Sequence, residues 1–120
     1  MTFDRDPLVR YRRQMQFAPL GEAGQRRLAK ATALVCGCGA LGSAAAELIV
    51  RAGVGSVRIV DRDFLELDNL HRQTLFVEAD VAANLPKAIA AARHLAEINS
   101  EVHIEPIVAD GTARNVAELA

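Results

Sequence analysis

The chain has 120 residues, of which 51% are hydrophobic and 24% are charged, and its formal net charge is -1. This length indicates a single domain that can bury about two-thirds of the surface of the unfolded chain. The small net charge excludes a global attraction to nucleic acid, and no apolar run is long enough to span a membrane, so we expect neither partner. The first residues lack the apolar core of a signal peptide, which predicts a cytoplasmic location.

Residues 1–30 are predicted to form a helical extension that a minimal nucleotide-binding fold does not have. Arg10, Arg12 and Arg13 surround Tyr11 in a short predicted helix, and a second amphipathic helix is predicted from Gly21 to Lys30. The arginines have two interpretations: they form a solvated helix face, or one of them reaches a phosphate group. Sequence position alone does not choose between the two.

Residues 33–42 combine an apolar strand with a glycine-rich turn. The run 33–36 leads into residues 37–42, which fit G-x-G-x-x-G directly after a strand and before a helix. Gly37 allows the tight turn, Gly39 lets a phosphate approach the backbone, and Gly42 lets the helix lie close to the strand. The positive end of the helix dipole adds an attraction for an anion. The pattern therefore predicts nucleotide binding, with a structural glycine turn as the alternative.

A helix and a second strand are predicted to follow the turn. The apolar residues at helical spacing, which are expected to pack on the sheet, are Leu41, Ala44, Ala45, Leu48, Ile49 and Ala52. Gly53 and Gly55 are expected to end this helix in the left-handed conformation. Residues 57–60 then extend as a strand and place Asp61 at its carboxyl end, where it can accept hydrogen bonds from both hydroxyls of a ribose.

The two cysteines, Cys36 and Cys38, flank Gly37. At this spacing their side chains point apart, so we expect small buried residues without a disulfide or a zinc site. Because Cys38 lies in the turn itself, it is also a position that thiol reagents could reach.

The rest of the chain predicts a loop, a helix, a strand and a final helix. The acidic stretch 62–73 has no clean period and is predicted to be a loop. A helix is predicted from Pro86 to Asn99, with Asn84 as its cap. Residues 102–108 predict a third strand, which Pro106 places at an edge of the sheet because proline cannot donate a hydrogen bond. Residues 113–120 predict the last helix.

These elements predict an α/β fold with the order β-α-β-loop-α-β-α over residues 31–120. The expected architecture is a Rossmann-like parallel sheet of about three strands with helices on both faces. Three strands are half of a doubly wound sheet, so we expect the other half to follow Ala120. The uncovered edge of the first strand is then expected to pair with a second copy of the chain.

Two cations are predicted to overhang the same site. Arg72 ends the loop after the second strand and Lys87 opens the next helix, so both lie near the carboxyl ends of the strands. A dinucleotide carries about two charges, which a glycine turn satisfies, whereas ATP carries about four and needs cations as well. Surface solvation is the alternative for each side chain alone, and their joint position favours a triphosphate.

Several motifs follow one another along the chain. They are Arg10-Tyr11-Arg12-Arg13-Gln14, Gly24-Gln25 with Leu28, the glycine turn, Ala52-Gly53-Val54-Gly55 with Val60-Asp61, Asp68-Asn69-Leu70-His71-Arg72-Gln73, and Pro86-Lys87. In this order they resemble the ThiF/MoeB/HesA adenylyltransferases, relatives of the ubiquitin-activating enzymes, from Arg10 to the end of the chain. The chain departs from that family at Ala40, commonly glycine, at His71, commonly glutamine, and in a slightly longer loop before Lys87.

The resemblance implies catalytic roles for Arg13, Arg72 and Lys87, with Arg13 lent to the ATP of a partner subunit. Asp61 is implied to hold the ribose, and Asn69, Arg72 and Lys87 the phosphates. The implied nucleotide-binding residues are Gly37, Gly39, Ala40, Gly42, Asp61, Asp63, Asp68, Asn69, Leu70, His71, Arg72, Gln73 and Lys87. No metal ligand is assigned within the 120 residues, since the family's magnesium ligand and zinc-binding cysteines are expected after Ala120.

The implied reaction joins a ubiquitin-like sulfur-carrier protein to AMP. The carrier's C-terminal glycine carboxylate attacks the α-phosphate of ATP, which forms an acyl-adenylate and releases pyrophosphate, as in thiamine or molybdopterin biosynthesis. The resemblance also implies a homodimer, with the first-strand edge or the N-terminal helices at the contact. Residues 1–120 are then the N-terminal portion of an ATP-binding domain and lack a complete active site.

Three other functions fit part of the pattern. An NAD(P)-binding oxidoreductase module shares the glycine turn and Asp61 but gives no reason for Arg13, Arg72 and Lys87 together. A non-catalytic scaffold would keep only the fold. A ThiF-like tRNA-base dehydratase shares the N-terminal motifs and remains an alternative within the adenylating enzymes.

Overall fold

The computed structural model describes residues 6–120, so the first five residues of the predicted extension lie outside it. Two 3-10 helices cover Val9–Tyr11 and Leu67–Asn69. The other elements, in chain order, are α1 (Arg12–Met15), α2 (Gly21–Lys30), β1 (Thr32–Cys36), α3 (Ala40–Ala52), β2 (Ser56–Val60), α4 (Glu78–Ala82), α5 (Lys87–Ile98), β3 (His103–Ile107) and α6 (Val116–Leu119). Over residues 6–120, no helix is long and apolar enough to cross a membrane.

The three strands form a parallel sheet in the order β1-β2-β3, which confirms the predicted sheet. In the register of this sheet, Ile59 of β2 lies opposite Val35 of β1 and Pro106 of β3. Within the described residues β3 is an edge strand, so the missing N–H of Pro106 leaves no gap in a central hydrogen-bond ladder.

One face of the sheet carries the hydrophobic core. Val35, Val57 and Ile59 project from it into a buried cluster with residues of α3 and α5, among them Ala46 and Leu95. Both helices are crossovers between neighbouring parallel strands that advance in one direction, and right-handed connections therefore place them on the same face. The two helices consequently pack against each other as well as against the sheet.

The opposite face carries α6. Arg58 of β2 donates from Nη1 to the carbonyl oxygens of Leu119 at 3.0 Å and Ala120 at 2.8 Å. Its Nε also donates to Glu105 Oε2 on β3 at 3.0 Å. Helices therefore lie on both faces, as predicted, and within the described residues the second face carries the four-residue α6.

The face of α3 that packs on the sheet differs from the predicted one. Leu41 is 88% exposed and Leu48 is 69% exposed, whereas Ser43, Ala46 and Val50 are fully buried. Both stripes have helical spacing, and the one with smaller side chains lets the helix approach the strands closely. Ser43 can be buried because its hydroxyl donates to the carbonyl oxygen of Gly39 at 2.6 Å.

Two predicted local features are also corrected. Gly53 has φ +90° and ends α3 as predicted, but Gly55 is not left-handed. Position 55 requires glycine for a steric reason instead, because a Cβ there would lie 2.0 Å from the carbonyl oxygen of Ala29. Asn84 does not cap α5, since Pro86 occupies the N-cap position and Asn84 itself has φ +53°.

The N-terminal extension is hydrogen-bonded to the ends of α3 and α5. Gln14 and Gln25 both donate from Nε2 to the carbonyl oxygen of Ala52, at 2.8 and 2.9 Å, and Gln14 Nε2 also donates to Gln25 Oε1. Asn99, just past α5, donates from Nδ2 to Tyr11 Oη at 2.9 Å. These buried polar contacts hold α1 at the C-terminal end of α3.

We predict that Gly55→Ala lowers the free energy of unfolding by about 1–3 kcal/mol, because the added Cβ overlaps the backbone of α2. Gly39→Ala is the matched control: no atom lies within 4 Å of a Cβ there. The control is expected to cost less than about 1 kcal/mol, as for alanine at a helix N-cap. Chemical denaturation measures both, and equal losses in the two variants would contradict the steric argument.

Candidate functional site

The glycine turn between β1 and α3 is fixed to the end of β2 by two short hydrogen bonds. The backbone N–H of Gly37 donates to the carbonyl oxygen of Val60 at 2.7 Å, and that of Cys38 donates to Asp61 Oδ2 at 2.7 Å. Gly37 has φ +93°, and a Cβ on Gly42 would lie 1.8 Å from the Gly37 carbonyl oxygen. Both positions therefore require glycine, the first for conformation and the second for space.

Asp61 lies at the carboxyl end of β2, where the sequence pattern predicted it. Its Oδ1 accepts the backbone N–H of Asp63 at 2.7 Å while Oδ2 accepts that of Cys38. Each carboxylate oxygen has a second lone pair, so the group can still accept hydrogen bonds from a ligand. Asp61 thus orients the turn and the following loop, and its carboxylate can still accept hydrogen bonds from a ligand that lies beside them.

Lys87 is a largely buried cation. It is the first residue of α5, its side chain is 9% exposed, and its backbone N–H donates to the carbonyl oxygen of Asp63 at 2.9 Å. Its Nζ lies 4.0 Å from Asp63 Oδ2, the outer limit of an ion pair. Burial of an ammonium group is costly unless an anion compensates for it closely, so this position suits a bound anion.

A pocket of about 590 Å³ opens in front of Lys87. Its lining residues are Arg62, Asp63, Phe64, Glu66, Asn69, Arg72 and Lys87. Arg72 donates from Nη1 to the carbonyl oxygen of Asp68 at 3.0 Å. Asn69 is buried, and its Oδ1 accepts the backbone N–H of Glu66 at 2.9 Å. The pocket therefore brings together the predicted Asp63, Asn69, Arg72 and Lys87, and the longer loop before Lys87 does not displace that lysine from it.

A second pocket, of about 230 Å³, lies at the carboxyl ends of the strands. Its lining residues are Cys36, Gly37, Val60, Asp61, Arg62, Asp63, Ala109, Asp110 and Gly111. It shares Arg62 and Asp63 with the first pocket, so the two form a continuous surface. One side contains the turn and Asp61, and the other contains the cations.

Sequence reasoning missed Arg62, which lines both pockets. Its Nη1 donates to Asp110 Oδ2 at 3.1 Å, and its Nε lies 3.7 Å from Asp63 Oδ1. Its position directly after Asp61 was the available signal, because a residue that follows a parallel strand lies at the ligand-binding edge of the sheet.

The other predicted residues have more varied positions. Gln73 is 3% exposed, and its Oε1 has no hydrogen-bond partner within the described structure. Leu70 packs against the core, while Asp68 and His71 are exposed. Ala40 is the exposed first residue of α3. None of these residues lines either pocket.

Arg13 is not brought to the pockets within one chain. It is exposed on α1, which Gln14 holds at the carbonyl oxygen of Ala52, the last residue of α3. The glycine turn lies at the other end of α3, and a helix of 13 residues is about 20 Å long. The predicted catalytic cations are therefore divided between the two ends of one helix.

The two cysteines differ in environment. Both are free, Cys38 is fully buried, and Cys36 is exposed, so the expectation of two buried cysteines is wrong for Cys36. Burial raises the pKa of the Cys38 thiol to about 12, and the negative charge of Asp61 adds to this rise while Lys87 opposes it. Cys38 is therefore a neutral, inaccessible thiol, and the expectation that reagents could reach it is also corrected.

In the part of the chain from Asp6 to Ala120, no group of three or more His, Cys, Asp or Glu side chains is arranged to hold a metal ion. The acidic residues of the pockets are paired with cations or backbone N–H groups.

Comparison with known proteins gives the family. Residues 11–120 match the model of the ThiF family. The chain is 54% identical over 110 residues to the sulfur carrier protein ThiS adenylyltransferase of Bacillus subtilis, covering 92% of this chain and 33% of that protein. It is 39% identical over 119 residues to the sulfur carrier protein adenylyltransferase of Thermus thermophilus, covering 99% of this chain and 43% of that protein.

A solved structure has the same fold. The E. coli tRNA N6-threonylcarbamoyladenosine dehydratase TcdA, in complex with ATP, superposes with a TM-score of 0.85 at 28% identity. The match covers 98% of this chain and 47% of that one. The chain thus spans less than half the length of these relatives.

We predict that iodoacetamide at pH 8 labels Cys36 and leaves Cys38 unmodified in the native protein. The Cys38 thiol stays protonated well above that pH because its pKa is raised to about 12, and it is also inaccessible. Mass spectrometry of the peptide that contains both cysteines measures the labelling, with labelling in denaturant as the positive control. Rapid labelling of Cys38 in a native Cys36→Ser variant would show that the turn opens.

Proposed function

The chain belongs to the ThiF family, and we propose that it serves in an ATP-dependent adenylyltransferase that activates a ubiquitin-like sulfur-carrier protein. The 54% identity to a sulfur carrier protein ThiS adenylyltransferase supports this substrate class. Because the chain covers 33% of that relative, the activity of the whole protein is inferred from a part of it.

The observation that carries the proposal is the buried position of Lys87 beside the glycine turn. Its ammonium group has a carboxylate no closer than 4.0 Å among the ion pairs of the described residues, and Arg72 lines the same pocket. A dinucleotide does not need these cations, whereas the additional charge of a triphosphate does. The arrangement therefore supports ATP as the ligand.

Each part of the site has a role in this reaction. The ribose would bind to Asp61, and the phosphates would lie over Gly39 toward Asn69, Arg72 and Lys87. The carrier's terminal carboxylate oxygen forms a bond to the α-phosphorus as the bond from that phosphorus to the bridging oxygen of pyrophosphate breaks. The cations stabilise the charge that develops on the phosphoryl and pyrophosphate oxygens, so catalysis consists mostly of positioning and electrostatics.

Arg13 is proposed to act on the ATP bound by a second copy of the chain. Within one chain it lies at the far end of α3 from the turn, so it needs a partner to reach a nucleotide. A homodimer is therefore part of the proposal.

The proposal also covers the compartment and the metal ions of the reaction. A cytoplasmic location is part of the proposal, and the exposed free thiol of Cys36 supports it because such thiols are typical of a reducing compartment. ATP is expected to bind with magnesium, and zinc is an expectation from the family. No step of the reaction is assigned to either ion.

Three alternatives are less well supported. The tRNA-base dehydratase interpretation has a structural relative at 28% identity, compared with 54% for the sulfur-carrier enzyme. An NAD(P)-binding module or a plain scaffold gives no reason for a buried lysine beside the turn.

We predict that the full-length protein binds ATP more tightly than NAD, because Arg62, Arg72 and Lys87 line a pocket beside a turn that needs no cation for a dinucleotide. Isothermal titration with both nucleotides measures the difference. Lys87→Met retains the length of the side chain without its charge, and it should weaken ATP binding more than NAD binding. Tighter binding of NAD than of ATP by the unaltered protein would refute the adenylyltransferase proposal.

We predict that Lys87→Ala and Arg72→Ala each slow ATP–pyrophosphate exchange by about 10- to 1000-fold, the range for loss of one charge-stabilising contact. Asp61→Ala should chiefly weaken nucleotide binding. Lys30→Ala is the matched control, since Lys30 is exposed at the end of α2 and lines neither nucleotide pocket. Exchange at the unaltered rate in Lys87→Ala would exclude a role for that lysine.

A further inference from the structure

A carboxylate and an imidazole join α4 to α5 outside the two pockets of the candidate site. The Nε2–H group of His94 donates to Asp80 Oδ2 at 2.7 Å. Nε2 is the donor in this bond because a carboxylate oxygen accepts. The side chain of Asp80 is 10% exposed and that of His94 is 25% exposed, so the bond is largely protected from water. A bond of this kind is short and directional.

The same carboxylate oxygen holds one end of the loop of residues 64–77, which we call the Arg72 loop. Asp80 Oδ2 also accepts the backbone N–H of Val77, the last residue of the loop, at 2.9 Å. Leu75 of the loop is buried in the core, but apolar packing has no preferred direction. Asp80 therefore supplies the directional contact at this end of the loop.

The other end of the Arg72 loop is attached to the start of α5. The backbone N–H of Lys87 donates to the carbonyl oxygen of Asp63 at 2.9 Å. The backbone N–H of Leu65 donates to the carbonyl oxygen of Leu85 at 3.1 Å. His94 lies seven positions after Lys87, which is about two turns and about 10 Å along the helix. The loop is therefore fixed to α5 at two separate points.

The side chain of Arg72 is bonded only to its own loop among the described residues. Its Nη1 donates to the carbonyl oxygen of Asp68 at 3.0 Å and lies 3.4 Å from His71 Nε2. The position of Arg72 is therefore set by the position of the loop. In contrast, α5 is fixed by the core, in which Leu95 is fully buried. The separation of the Arg72 and Lys87 side chains then depends on the two attachments of the loop.

We propose that Asp80 and His94 are positioning residues, which hold Arg72 at the separation from Lys87 that the phosphates of the nucleotide require. This inference rests on the proposed function. Neither Asp80 nor His94 lines either pocket, so both act through the Arg72 loop and not by contact with the substrate. Misplacement of a group by about 1 Å can slow a reaction by about 100-fold, so an attachment outside the pocket can control the rate.

Two amide substitutions at position 94 of the full-length protein test the inference. His94→Asn has a side chain too short to reach Asp80, and it should slow ATP–pyrophosphate exchange by about 10- to 100-fold. His94→Gln carries the same amide at the reach of Nε2 and should restore most of the rate. Arg93→Asn is the matched control, since Arg93 is exposed on the same helix and lines neither pocket, and it should exchange at the unaltered rate.

Two results of this comparison would overturn the proposal. One is exchange at the unaltered rate in His94→Asn. The other is equal slowing in His94→Asn and His94→Gln, because the donor to Asp80 would then have no importance. Circular dichroism checks that each variant has the fold of the unaltered protein.

A double-mutant cycle with Arg72 distinguishes positioning from a general loss of stability. In an Arg72→Ala protein, His94→Asn should slow pyrophosphate exchange much less than it does in the unaltered protein, because the group that it displaces is already absent. Full additivity of the two losses would show that His94 does not act through Arg72 and would overturn the proposal.

Hydrogen–deuterium exchange separates this inference from the proposed function. The peptide that contains Val77 should lose protection in His94→Asn and keep it in Arg93→Asn, because Asp80 is then no longer held to α5. Mass spectrometry measures the protection. Unchanged protection in His94→Asn would overturn the proposal. If the unaltered protein shows no pyrophosphate exchange while His94→Asn still releases Val77, the proposed function fails and the attachment of the loop by Asp80 and His94 stands.

Discussion

The carboxylate of Asp61 holds together the end of the molecule where the glycine turn, the following loop and the start of α5 meet. One oxygen accepts the N–H of Cys38 in the glycine turn, and the other accepts the N–H of Asp63 in the following loop. The carbonyl oxygen of Asp63 in turn accepts the N–H of Lys87, where α5 begins. One charged group thus sets the relative positions of the turn, the loop and the first residue of the next helix. Charge-assisted hydrogen bonds of this kind are short and directional, which suits them to positioning a site.

The sequence predicted the elements that depend on local chemistry. Glycine and proline positions and the spacing of apolar residues predicted the strand, turn, helix and strand up to Asp61. The same signals predicted the third strand, with Pro106 at the edge of the sheet. The buried face of α3 could not be predicted, because both sides of that helix are apolar and only the approach of the backbone selects the side with smaller residues. The five-residue α4 was missed for another reason. It depends on Asp80, which accepts the N–H of Val77 at 2.9 Å and bonds His94 on α5 at 2.7 Å.

The residues of the candidate site could be predicted to the extent that the order of the strands brings them together. Parallel strands place their carboxyl ends at one edge, so Asp61 at the end of β2, Arg72 at the end of the following loop and Lys87 at the start of α5 were expected to lie close together. The position of Arg62 directly after Asp61 was a signal in the sequence, but its contact with Asp110, which lies 48 positions later in the chain, could not be predicted. Arg13 shows the reverse case, since its motif is evident in the sequence but its distance from the turn is set by the bond between Gln14 and Ala52. In both cases, contacts between segments that are remote in the sequence determine where the arginine side chain lies.

The ammonium group of Lys87 is only weakly paired with Asp63, which suits a site that binds an anion reversibly. A carboxylate in direct contact would compensate the buried ammonium fully and stabilise the empty protein, but a phosphate would then have to displace it. Asp63 stays 4.0 Å away and uses its backbone, rather than its side chain, to position the lysine. An anion placed closer to the ammonium group than Asp63 would therefore compensate the burial of this cation more completely. Under the proposed function, that closer anion is a phosphate of the nucleotide, and its binding would stabilise the folded protein.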